Sequence, residues 1–113
     1  LNIVEAILLG LPAVATGYGG NVDFCDPASV DLIDFDLVPG EDPQGLYQGS
    51  FHWAEPRLEH FCALLKELDG RGTDELDERR RQARERVFEH FSTERIRDLV
   101  TTRLVVLRQV EAE

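Results

Sequence analysis

The first sixteen residues, Leu1 to Thr16, carry a single charge, Glu5, and a helix stop placed so that the chain has to turn. Apolar Ile3, Val4, Ile7, Leu8 and Leu11 recur at helical spacing, which predicts a helix buried nearly all round. Gly10 suits the left-handed conformation that closes a helix, and Pro12, two residues on, prevents the helix from resuming. Ala13 to Thr16 is then a short unalternating apolar run, the pattern of a central parallel strand. The loop Gly17-Tyr18-Gly19-Gly20-Asn21 follows at once. In open α/β sheets ligands sit beyond the carboxyl ends of such strands, and this loop falls at that position.

Downstream, Val22 to Cys25 reads as one turn of helix closed by Asp26-Pro27. Ser29 to Val38 alternates with its polar residues outward, as one edge strand or two short ones. Pro39 to Ser50 has four turn-forming Gly and Pro residues after Pro39 and no period, so it reads as a surface loop. Phe51 to Ala54 is a short apolar stretch, and Glu55-Pro56 places an acid and a first-turn proline at a helix start. The helix that follows carries a stripe of Leu58, Phe61, Cys62, Leu64, Leu65 and Leu68, is ended by Gly70 and Gly72, and is expected to pack on the sheet. Thr73 then caps a mostly exposed helix with a narrow seam of Leu76, Ala83, Val87 and Phe91. Ser92 caps a last helix with Ile96, Leu99, Val100, Leu104, Leu107 and Val110 on one face. The C-terminus is thus read as two antiparallel or angled helices.

Charge is divided along the chain. The formal net charge is -10, no Lys or Arg precedes Arg57, and all twelve lie from there onward. Nucleic-acid binding needs a basic footprint to release counterions, so this acidic balance argues against it. Arg79-Arg80-Arg81 has acids on both sides and reads as a solvated helix face with local ion pairs. Cys25 and Cys62 stand apart rather than in a Cys-x-x-Cys pair, which suits buried free thiols and a reducing, cytoplasmic compartment. No apolar run approaches the roughly 20 residues that span a bilayer, so no transmembrane segment is expected.

The run Glu5-Ala6-x-x-x-Gly10-x-Pro12-x-Val14-Ala15-Thr16-x-x-Gly19-Gly20-Asn21 resembles the C-terminal domain of nucleotide-sugar glycosyltransferases of the GT-B fold, family 4 type. Trp53-Ala54-Glu55-Pro56 and the Phe91-Ser92 junction look like the same family, so the similarity covers nearly the whole chain. The resemblance implies an α/β fold: a partial Rossmann-like domain with a short, mainly parallel sheet, flanking helices and C-terminal helices. It also implies a retaining transfer of sugar from a nucleotide-sugar donor to an acceptor hydroxyl, with no cofactor and no metal. In that family a glutamate, seven residues and a second glutamate span the loop and first turn of the opening helix; the second matches Glu5, and the first would fall upstream of Leu1. Glu5 would then accept hydrogen bonds from the donor ribose, main-chain amides at Leu1 and Asn2 would face the donor phosphates, and Gly19, Gly20 and Asn21 would border the cleft. The diphosphate cations would come from sequence upstream of Leu1, so residues 1–113 alone would be inactive and, deprived of neighbours, would self-associate.

Blander readings stand beside these. Glu5 at a helix start interacts favourably with the helix dipole without any ligand, although a carboxylate on a buried helix would need a partner. The glycine loop serves equally as a structural turn, and the dinucleotide fingerprint fails because the position for its third glycine is Val22. Asp34-Phe35-Asp36 matches an Asp-x-Asp metal motif, but alternation accounts for both acids as solvent-facing. His52, His60 and His90 have no ligand or triad spacing. A non-enzymatic interaction module, carried by the charged helices after Thr73, and a simple nucleotide-binding domain are the competing function classes.

Overall fold

The computed structural model describes residues 2–46 and 49–110, and the side chains within them except those of residues 109 and 110. The chain is a mixed α/β fold with no helix, among the described residues, long and apolar enough to cross a membrane. Helix α1 (Asn2–Leu8) ends in a Schellman closure: Gly10, at φ 76°, donates its N–H to Ile7 C=O, and Leu11 N–H reaches Ala6 C=O. The chain reverses there into β1 (Val14–Thr16), as the Gly10 and Pro12 stop requires.

Strand β1 pairs in parallel with β2 (Asp31–Ile33), Val14 opposite Asp31 and Thr16 opposite Ile33. Asp31 N–H to Ala13 C=O and Gly17 N–H to Ile33 C=O extend the pairing by one bond at each end. A 3₁₀ turn at Gly20–Asp23 lies in the connection, where one turn of helix was anticipated. The alternating stretch after Ser29 divides at Asp34, and β3 (Phe35–Pro39) leaves the parallel pair to form an antiparallel hairpin with β4 (His52–Pro56). Pro56 still belongs to β4, opposite Phe35, so it does not open the helix; α2 (Leu58–Gly70) starts after Arg57.

Helices α3 (Thr73–His90) and α4 (Thr93–Val110) complete the chain. Gly72, not Thr73, sits at the cap position of α3, without a side-chain cap. Ser92 does cap α4, its Oγ accepting from Arg95 N–H at 3.2 Å. The core gathers Ile7 of α1, Cys25, Val30, and Ala83 and Val87 of α3, with Ile3, Val4, Leu8, Phe24 and Leu32 packed around it. Helix α2 packs against β2 through buried Leu64.

Two expectations about burial are corrected. Helix α1 is not buried all round: only Ile7 is fully buried, while Asn2 and Glu5 are exposed, as are Leu9 and Leu11 just beyond its end. Cys25 is buried but Cys62 faces solvent, because α2 turns only one narrow edge to β2. In helix α4 every side chain from Thr93 to Arg108 is exposed, including its apolar stripe. The molecule measures 59 × 40 × 20 Å with a radius of gyration of 18.3 Å. A compact chain of this length has about 13 Å, so the projecting elements dominate its dimensions.

Candidate functional site

The carboxyl ends of β1 and β2 open into the loop Gly17–Asn21 and the β2–β3 junction. Gly17 lies close against β2, where an added Cβ would come 3.5 Å from Leu32 Cβ and Ile33 C=O. Gly19 takes φ 87°, a backbone conformation that side chains disfavour. Asn21 donates from Nδ2 to Thr16 C=O at 2.8 Å, and Tyr18 N–H donates to the same oxygen at 2.8 Å. The Asn21 amide therefore braces the loop, while Gly19 and Gly20 present exposed backbone. Tyr18 rests on Phe35, ring centroids 4.9 Å apart, which ties the loop to the base of the hairpin.

An open cleft of about 400 Å³ lies beside this loop, lined by Gly17, Leu32, Ile33, Asp34, Phe35 and Arg57. A larger concavity of about 680 Å³ follows the exposed flank of α4 between Glu89 and Val106. That one is the side of a projecting helix; the strand-end cleft is where an α/β sheet places ligands.

Helix α1 precedes β1 through the short reversal at Gly10 to Pro12. Glu5, one turn in, is exposed and its carboxylate has no partner among the described residues. Glu5 is solvated, so no burial forces its carboxylate to find a partner. Asn2 is exposed at the head of the helix, and Leu1 lies outside the described residues.

Two groups here escape sequence pattern. Arg57 grips Asp36 through Nε at 2.9 Å and a second guanidinium nitrogen. The hydrogen bond from Arg57 holds the Asp36 carboxyl below the usual carboxylate range, and Asp36 in turn raises Arg57. His60 Nδ1 accepts the Asp34 N–H at 2.9 Å and stands 3.3 Å from Asp34 Oδ2. Both Asp34 and Asp36 carboxylates are largely exposed, as alternation anticipates. The only advance signal for Arg57 is its place as the first cation in the sequence.

At the opposite, amino end of β2 the outward orientation read for Asp31 is corrected. Asp31 is buried and accepts from Arg71 and Arg79, each with a guanidinium nitrogen 2.8 Å from Oδ1. Arg79 thereby leaves the solvated basic run, whereas Arg80 and Arg81 keep the local pairs expected of them, to Asp77 and to Glu78 and Glu85. This is a structural brace, with the acid's charge spent on the protein's own cations. Among the described residues no three His, Cys, Asp or Glu converge as metal ligands.

No protein-family model matches the chain, no curated protein matches it in sequence, and no solved structure matches its fold.

Proposed function

We propose that this chain is the C-terminal part of a GT-B glycosyltransferase of the family 4 type, which moves a sugar from a nucleotide donor to an acceptor hydroxyl with retention. The observation that carries the reading is positional. A Schellman-closed helix feeds a parallel strand, the strand ends in a glycine loop, and the Glu5 carboxylate on that helix is exposed and without a partner among the described residues. In this reading Glu5 holds the donor ribose hydroxyls, and main-chain amides at Leu1 and Asn2 meet the donor phosphates. Gly19, Gly20 and Asn21 border the cleft.

The β1–β2 pair would be part of a larger Rossmann-like sheet, since parallel strands ordinarily lie in sheets covered on both faces. The enzyme would act in the cytoplasm with no cofactor and no metal. Arg57, the cation nearest the cleft, is already neutralised by Asp36, so stabilisation of the leaving diphosphate falls to groups upstream of this chain.

Glu5→Gln tests the reading in the whole enzyme. It keeps shape and one acceptor while removing charge, and charge-assisted hydrogen bonds contribute roughly 1.5 to 3 kcal/mol each. Nucleotide affinity measured by calorimetry is expected to fall about 10- to 100-fold with an unchanged thermal midpoint. Unchanged affinity would remove Glu5 from the donor site.

The exposed stripe of α4 favours a second reading, a non-enzymatic interaction module. It differs in outcome: a module binds a protein partner through α4 and shows no nucleotide affinity, with or without Glu5.

A further inference from the structure

The β3–β4 hairpin joins the rest of the chain at two adjoining residues, Asp34 before β3 and Arg57 after β4, and its base also carries the Tyr18–Phe35 contact. Ile33 belongs to the parallel pair and Phe35 to the antiparallel one, so the change from one sheet to the other falls at Asp34. The Asp34 main chain is held on both sides by the head of α2. Its C=O accepts from Arg57 N–H at 2.8 Å, and its N–H donates to His60 Nδ1 at 2.9 Å.

We propose that His60 is a proton-operated latch on this hairpin. To accept from the Asp34 amide, Nδ1 has to be unprotonated, which fixes neutral His60 as the tautomer with its proton on Nε2. The same nitrogen stands 3.3 Å from Asp34 Oδ2. A proton taken from solvent at Nδ1 turns the acceptor into a donor. The Asp34 N–H then faces another N–H and is released, while the Asp34 carboxylate gains an imidazolium partner. One nitrogen thus has two partners on one residue, and protonation selects between them.

The charges around the ring permit the exchange. From the β2–β3 segment the nearest is the Asp34 carboxylate, with Asp36 beyond it. From the head of α2 come Arg57, whose guanidinium is engaged by Asp36, and Glu59, the neighbour of His60 in sequence. Glu55 stands on β4 opposite Asp36. His60 retains 34% of its side-chain exposure and Asp34 67%, so solvent protons reach both. Release of the Asp34 amide leaves the hairpin root held by the Arg57 main-chain bond, the Arg57–Asp36 pair, the Tyr18–Phe35 contact and the new imidazolium–carboxylate pair. Because Asp34, Phe35 and Arg57 line the strand-end cleft, the exchange takes place in one wall of that cleft. The latch is independent of which ligand the cleft takes.

Amide and imidazole NMR spectra of the 113-residue chain between pH 8 and 5 test this, spanning the range in which histidine changes charge. At pH 8 the His60 ring nitrogens are expected to report the Nε2–H tautomer. As His60 charges, the Asp34 amide shift follows it, and Asp34 exchange, corrected for base catalysis, quickens about fivefold for one lost hydrogen bond. His60→Asn retains a side-chain acceptor that does not titrate, and it flattens both responses. An Nδ1–H tautomer at pH 8, an Asp34 amide indifferent to His60 titration, or the same Asp34 response in His60→Asn would each overturn the proposal. The tautomer is read on the unaltered protein, so the test survives a variant that folds poorly.

Discussion

Asp31 and Arg71, forty positions apart in sequence, meet in a two-point ion pair that joins the amino end of β2 to the α2–α3 turn. Arg79 adds a third bond to the same carboxylate, and Arg71 also reaches Glu75 at 3.4 Å. The Asp31 side chain is 8% exposed and that of Arg71 13%, so neither charge has water as a substitute partner. Losing Asp31 leaves two guanidinium groups, of which Arg71 keeps Glu75 beside it, so the loss falls toward the lower end of the about 3 to 5 kcal/mol that breaking a buried pair costs. Asp31→Asn is therefore expected to lower stability by about that amount in urea or thermal unfolding. A midpoint equal to that of the unaltered protein would show that the brace is dispensable.

The Arg57–Asp36 pair is exposed and predicts a pH dependence rather than a large energy. Arg57 lowers the folded Asp36 value below its ordinary 3.8. A carboxylate lowered on folding stabilises fully above its unfolded value and loses that contribution as pH falls through the folded one. The hairpin anchor should hold at neutral pH and weaken only below about 3.8. Acid titration of hairpin amide signals, compared with Asp36→Asn, checks this; a transition near neutral pH persisting in Asp36→Asn belongs to another group.

The two thiols should differ in reactivity. Cys62 is exposed, whereas Cys25 is buried and burial pushes its thiol up, which lowers its thiolate fraction. A soluble disulfide reagent is expected to label one equivalent promptly and the second only as the core opens. Two equally fast equivalents would mean that the core around Cys25 is open.

Self-association of the isolated chain is expected through α4, where Ile96, Leu99, Val100, Leu104 and Leu107 are all exposed. Leu99→Asp with Leu107→Asp should reduce it in light scattering without moving the unfolding midpoint, since neither residue is buried. A strictly monomeric unaltered chain at high concentration would count against this.

Some local signals in the sequence carried over while others, the Thr73 cap and the Pro56 helix start, did not, and distant ones were hidden. The reversal at Gly10 and Pro12 and the Ser92 cap are written in adjacent residues, and both stand in the structure. Alternation through Asp34 hides a change of sheet, because side chains keep their two-residue period while the backbone changes partner. Asp31 reads as an outward acid until Arg71 and Arg79 arrive from far along the chain. His60 shows no motif spacing because its partner is a main-chain N–H, which any residue supplies. The α4 stripe was legible, but periodicity identifies an apolar face without saying what covers it.

The core spans nearly the full distance from Ile7 to Val87, and that has a consequence for the order in which the protein is made. Ribosomes add roughly 5 to 20 residues per second, so α1 waits about 4 to 16 seconds before the α3 residues that bury it are synthesised. Through that interval Ile7, Cys25 and Val30 have one another but neither Ala83 nor Val87. The nascent N-terminal half thus emerges as an acidic segment without Lys or Arg, and its charge keeps it dispersed until the helix that completes its core arrives.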